Sequence, residues 1–203
     1  PMSDYSVVEK KLATLLGVPA KAATKLAKAG QLSPTDKSTL YRHKNDLFLY
    51  EHGSQELRQL TSDKQVKQLV TFSSDARHVA FVRKHNLIVV PTSGGAEVSV
   101  TTEGAEHLLH GYLDWVYQEE LYGRGNYRGF WWSPDSKSIA FLRLDERPVA
   151  KYPITDHLAY RGKSQATYYP KAGDALPKVS LAIYQLGAAA ARPVDLSIWS
   201  SFC

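Results

Sequence analysis

Glu119 and Glu120 stand side by side in the run Leu113-Asp114-Trp115-Val116-Tyr117-Gln118-Glu119-Glu120-Leu121-Tyr122-Gly123. Two adjacent carboxylates suit the holding of a cation: an ammonium group carries three donors and can be shared between two acidic side chains through charge-assisted hydrogen bonds. To act on one ion both must ride on one short helix. Asp114 is a good N-cap and Gly123 a good stop, so the residues between them predict about two turns. At about 100° per residue, neighbouring side chains on such a helix can lean toward one cavity. The plain alternative is a solvated pair of surface charges, with Glu120 and Arg124 in the i,i+4 register of a helical salt bridge. Spacing does not choose between the two.

Other chemistry is thinner. No Gly-x-Ser-x-Gly elbow occurs, and Ser93-Gly94-Gly95 reads as a hairpin turn. Gly162-Lys163-Ser164 resembles the end of a phosphate loop, but His157 occupies the position of the required first glycine. Glu106, His107, His110 and Asp114 have the three- to four-residue spacing of ligands on a helix, yet Leu108, Leu109 and Leu113 flank them, which favours packing over a metal. Cys203 is the one cysteine, so no internal disulfide and no cysteine zinc site can form. No cofactor is expected.

The elements that would position the glutamates are short strands. The 203 residues suffice for one to two domains, and 43% hydrophobic with 22% charged residues is the composition of a folded globular chain. Of the net charge of +5, residues 1–37 carry +3, so the remainder offers no basic face and nucleic-acid binding is not expected. No run reaches the ~18 apolar residues of a membrane span, nor does a secretory h-region open the chain. The compartment is left open, with the cytoplasm favoured over the periplasm. Residues 1–37 read as a helical N-terminal arm. A stripe of Val7, Val8, Leu12, Leu15 and Leu16 ends at Gly17-Val18-Pro19, and an Ala- and Lys-rich stretch follows as far as Gly30. From residue 38 the period is that of strands: Leu47–Tyr50, Val79–Val82, Leu87–Val90, Ile139–Leu142 and Val179–Ile183.

Two of these runs are copies. Phe72-Ser73-Ser74-Asp75 through Arg83 aligns without gaps on Trp132-Ser133-Pro134-Asp135 through Arg143, 60 residues on. Asp46-Leu47 and Thr61 return as Asn86-Leu87 and Thr101 at a spacing of 40, about one four-stranded propeller blade. Two excursions interrupt the period, one holding 111–128 and one between Phe141 and Val179, and inserts of this kind go to rims, where binding groups sit. The aromatics of the second, Tyr152, Tyr160, Tyr168 and Tyr169, would cover a cavity or an oligomer edge, whereas Trp131, Trp132 and Phe141 read as core. The prediction is an all-β fold, a partial β-propeller of about three four-stranded antiparallel blades over 38–203. Unpaired blade edges predict a homo-oligomer.

The stretch from Leu113 to Leu121, with Phe130-Trp-Trp-Ser-Pro-Asp-Ser136, Ile139-Ala-Phe141 and Tyr169-Pro-Lys-Ala-Gly173, resembles the N-terminal propeller region of the dipeptidyl peptidase IV family of serine exopeptidases. The resemblance is dense over roughly 110–190, loose over 40–105 and absent over 1–37. It implies that Glu119 and Glu120 bind the α-ammonium of a peptide substrate, with Gln118 standing where some members have a third glutamate and mattering little. It further implies that the serine, aspartate and histidine lie in a downstream α/β-hydrolase domain outside this chain, which alone would be inactive. An arginine that members use from an earlier propeller loop has no assignable counterpart here. The competing expectation is a non-enzymatic β-propeller scaffold for protein–protein interaction, with the two glutamates as rim charges.

Overall fold

A computed structural model describes residues 5–156 and 162–197; His157, Tyr160 and Cys203, singled out above, lie outside them. The chain divides into two compact units, one built on the helices and the first two sheets, the other on the third sheet and its inserts. Among the described residues no helix is long and apolar enough to cross a membrane.

In the first unit, α1 (Tyr5–Leu16) and α2 (Ala20–Lys28) form a hairpin. Gly17 turns the chain with φ +60° and Pro19 starts the next helix. Val8 and Leu12, one helical turn apart, are buried with Ala23 and Ala27 against Tyr41, Phe48 and Tyr50 of the first sheet. Leu15, expected in the same stripe, points away and is 51% exposed. The packed line is the i,i+4 row through residues 8, 12 and 16, and position 15 falls off it.

The first sheet runs β1 (Gln31–Leu32), β2 (Ser38–His43), β3 (Asp46–Glu51) and β4 (Leu57–Gln59) in that order. The second repeats it with β5 (Gln68–Phe72), β6 (His78–Arg83), β7 (Asn86–Pro91) and β8 (Val98–Ser99). Leu40, Leu47, Leu49, Phe72, Val79, Phe81, Ile88 and Val90 fill one core, each large side chain contributing about 1.5–3 kcal/mol on burial. Two-residue turns join the inner strands, with positive φ at Lys44 and Asn45 and again at Lys84 and His85, the backbone that matches strand twist.

The spacing of 40 has a physical meaning. Thr61 Oγ1 accepts from Leu47 N (3.0 Å) and donates to Asp46 Oδ1 (3.0 Å); Thr101 Oγ1 accepts from Leu87 N (3.0 Å) and donates to Asn86 Oδ1 (3.1 Å). Each hydroxyl fastens the chain leaving its blade to the start of the third strand. The Ser-x-Asp turns also match: Ser73 donates to Asp75 (2.7 Å), Ser133 to Asp135 (2.6 Å), and Ala76 and Ser136 both close the turn with φ +59°. A third copy, missed in the sequence, is Ser33-Pro34-Thr35-Asp36, where Ser33 Oγ meets Thr35 Oγ1 at 3.3 Å and Asp36 takes φ +58°. Its aspartate is displaced by one residue, which hides the pattern.

In the second unit β10 (Phe130–Trp132), β11 (Ser138–Asp145), β14 (Lys178–Gln185) and β15 (Arg192–Pro193) lie in order, and β9 (Leu108–His110) pairs with the far end of β11. Between β11 and β14 the chain leaves the sheet to form a separate hairpin, β12 (Lys151–Asp156) with β13 (Lys163–Tyr168). Three antiparallel sheets, two of four strands and one of five, agree with the three blades expected. Phe141 and Phe130 are buried as core; Trp131 and Trp132 are only half-buried.

Candidate functional site

The insert between β9 and β10 folds as anticipated at both ends and differently in the middle. Asp114 Oδ1 accepts from Tyr117 N (2.9 Å), which is N-capping, and Gly123 ends the helix at φ +86°, a conformation costly to a residue with a Cβ. Over Tyr117–Leu121 the winding is of π type, closed by Tyr122 N donating to Tyr117 O at 2.9 Å. Such wide turns are uncommon and concentrate at functional sites. Gln118 explains how it is held: its buried amide accepts from Gly125 N (2.8 Å) and donates to Glu119 Oε2 (3.3 Å), tying the returning loop to the helix.

Glu119 is half-buried and its Oε1 receives Arg124 Nε at 2.7 Å; the glutamate side chain is 18% exposed and the arginine 85%. Glu120 is exposed and makes no ion pair among the described residues. The cation partner is thus Glu119 rather than Glu120, five residues from the arginine instead of four. Neither glutamate is among the residues that line the cavity beside this helix.

A cavity of about 260 Å³ does lie at the foot of the same helix. Asp114, Trp115, Tyr112, Tyr127, Glu146 and Tyr168 contribute to its wall, as does Glu106. Glu146, just past the end of β11, is 6% exposed. Burial, with the charges of Asp114 and Glu106 and against that of Lys151, pushes its carboxyl up to about 7. Burial also raises Asp114, opposed by its bond to Tyr117 N. Of the second-insert aromatics, Tyr168 lines the cavity, while Tyr169 lies between Trp115 (4.7 Å between ring centres) and Tyr152 (6.1 Å). The spaced group Glu106, His107, His110 and Asp114 is split. Two members reach the cavity, whereas His110 is buried beside Phe141 with Nδ1 3.3 Å from His85 O. Among the described residues no three His, Cys, Asp or Glu side chains converge as metal ligands.

The family described as the dipeptidyl peptidase IV (DPP IV) N-terminal region matches residues 31–202. The chain belongs to the dipeptidyl peptidase IV family. Relatives within it include the probable dipeptidyl-aminopeptidase B of Trichophyton verrucosum, 36% identical over 141 residues, covering 64% of this chain and 16% of the relative. That of Grosmannia clavigera is 31% identical over 213 residues, covering 90% and 21%. Among solved structures, Porphyromonas gingivalis dipeptidyl peptidase 4 superposes with a TM-score of 0.70 at 29% identity, over 82% of this chain and 25% of that one. The chain therefore spans a quarter or less of the proteins it is similar to. The likeness makes its antiparallel sheets blades of the DPP IV propeller.

Within the DPP IV frame, two residues stand out that spacing gave no reason to choose. Gln118 passes for one more polar residue on a charged helix, and only the bond to Gly125, seven residues on, reveals its role. Glu146 belongs to Asp145-Glu146-Arg147, which reads as a solvated turn. Arg147 does salt-bridge Asp145, with Nε to Oδ1 at 2.8 Å, leaving Glu146 turned inward.

Proposed function

We propose that the chain is the amino-terminal substrate-recognition part of a serine dipeptidyl peptidase that removes dipeptides from free peptide N-termini, with Glu119 and Glu120 binding the substrate α-ammonium. The observation that carries this reading is family membership over 31–202, which includes the Gln-Glu-Glu segment. The helix supports it, since a cap at Asp114 and a clamp at Gln118 hold both glutamates on one turn. A site that fixes the terminal ammonium at a set distance from a nucleophile acts as a ruler: remote binding energy is used to position one bond, after the second residue. The nucleophile and its partners would come from an α/β-hydrolase domain linked to this chain. An α-amino group titrates at ~7.7–8.0, so recognition needs pH low enough to keep it charged.

Arg124 occupies the place that the ammonium would take on Glu119. Its guanidinium is 85% exposed, so this ion pair contributes little and exchanges readily. In the complete enzyme, Glu119→Ala and Glu120→Ala are each expected to lower kcat/KM for free N-terminal peptides by about 30-fold or more, the scale of losing one partner of a desolvated charge pair. Arg124→Ala should leave kcat unchanged and lower KM. Equal cleavage of N-acetylated and free peptides would overturn the reading.

A second reading, a propeller scaffold with Glu119 and Glu120 as rim charges, is favoured by one observation: Glu119 is engaged by Arg124 and Glu120 is exposed. Unchanged kcat/KM in both alanine variants, with loss of a protein partner, would select it.

A further inference from the structure

We propose that the cavity walled by Asp114, Glu146, Tyr112, Tyr127 and Tyr168 is a binding site for a small organic cation of the guanidinium class. The inference does not rest on the exopeptidase reading, for neither Glu119 nor Glu120 takes part.

The first reason is Glu146 itself. Its side chain is more than nine-tenths buried, lines the cavity, and has no hydrogen bond or ion pair among the described residues. A buried carboxylate without a partner is costly and is found where something else supplies the partner. The second reason is a charge imbalance. Three carboxylates, Glu106, Asp114 and Glu146, face the space, and one cation answers them: Lys151, whose Nζ sits 3.0 Å from Glu106 Oε1. Asp114 uses Oδ1 on the helix cap. Among the described residues, two acidic groups are therefore left without an ion-pair partner.

The third reason is the wall. Tyr112 and Tyr127 stack at 5.2 Å between ring centres, and Lys151 Nζ already lies 4.6 Å over the Tyr168 ring, so the site accommodates cation–π contact. A guanidinium is planar, weakly hydrated, stacks on aromatic faces and donates in pairs to carboxylates, which an ammonium does not match. About 260 Å³ holds a group of that size, though it is just below the volumes usual for drug-sized ligands. The raised titration of Glu146 adds a signature: a cation arriving beside it should expel a proton. Among the described residues, the other charged groups facing it are Asp114, Glu106 and Lys151.

The test is calorimetric titration of the intact protein with methylguanidinium chloride at pH 6 and pH 8, in two buffers of different ionisation enthalpy. Saturable binding is expected, several-fold tighter at pH 8, with proton release. Glu146→Gln should weaken it at least tenfold while unfolding cooperatively. Tighter binding of N-acetylarginine methylamide than of methylguanidinium would identify an arginine side chain of a peptide as the source, and the reverse order a free guanidino compound. No saturable binding of either probe, equal binding by Glu146→Gln, or a wild-type affinity that is the same at pH 6 and pH 8 would overturn the proposal.

Discussion

The junction between the second and third strands of a sheet is built twice in one way and once in another. In the first two sheets it is a two-residue turn, Lys44-Asn45 and Lys84-His85, with every φ positive. In the third it opens after Asp145 and returns at Lys178, and the span between holds Glu146 and the β12–β13 hairpin. The closed junctions produce locks: Asp46 Oδ1 gathers Thr61 Oγ1, Lys64 N and Lys67 Nζ within 3.1 Å, and Asn86 Oδ1 gathers Thr101 Oγ1 and Gly104 N. The open junction produces a cavity with unanswered charge. The side chains of Asp46 and Asn86 are satisfied because the repeat brings partners at fixed spacing; a carboxyl beneath an insertion has no such repeat to supply them.

The sharpest way to break this comparison is at Asp46. Lys67 is buried with its ammonium 2.8 Å from that carboxylate and shared with Asp63, so Asp46→Ala removes one of two counter-charges and the acceptor of Thr61 Oγ1 and Lys64 N, and should cost about 2–3 kcal/mol by urea denaturation. Asn86→Ala, which strands only neutral donors, should cost about 1–2 kcal/mol.

Glu146→Gln should act in the opposite direction. Its folded pKa of about 7 lies above the ordinary 4.5, so the fold holds the proton more tightly than the unfolded chain does. The resulting penalty on folding is absent below pH 4.5, grows between 4.5 and 7, and is complete above 7. The variant should therefore gain about 3 kcal/mol at pH 8 and nothing at pH 4. Matched denaturation curves at the two pH values measure it.

Asp114→Ala removes the cap of the glutamate-bearing helix, a loss of about 1 kcal/mol. It also withdraws one of the charges raising Glu146, so the fall in stability above pH 4.5 should end at a lower pH and be smaller. Arg77→Ala, on the exposed Ser-x-Asp turn of the second sheet, should change stability by less than about 0.5 kcal/mol.

Much of the fold was legible because period-2 apolar runs and repeated turns are local signals. The central strands, the turns after Phe72 and Trp132, and the ends of the 114–123 helix all follow from neighbouring residues. The outer strands β1, β4, β8 and β15 were not legible, being two or three mixed residues that pair only because an inner strand is already in place. The π winding was equally hidden, as was the bond from Gly125 N to Gln118 that ties the returning loop to it.

Sequence alone determined the blade repeat, the Thr61 and Thr101 fasteners as a spacing, the capped helix carrying Glu119 and Glu120, and the likeness to the DPP IV propeller. Only tertiary structure decided that Arg124 answers Glu119 rather than Glu120, that Lys67 is buried on Asp46, and that Glu146 turns into a cavity while its neighbours bind each other. The reason is range: backbone preference and periodicity act over a few residues. The surroundings of a charge are set by whichever distant segments the fold brings against it.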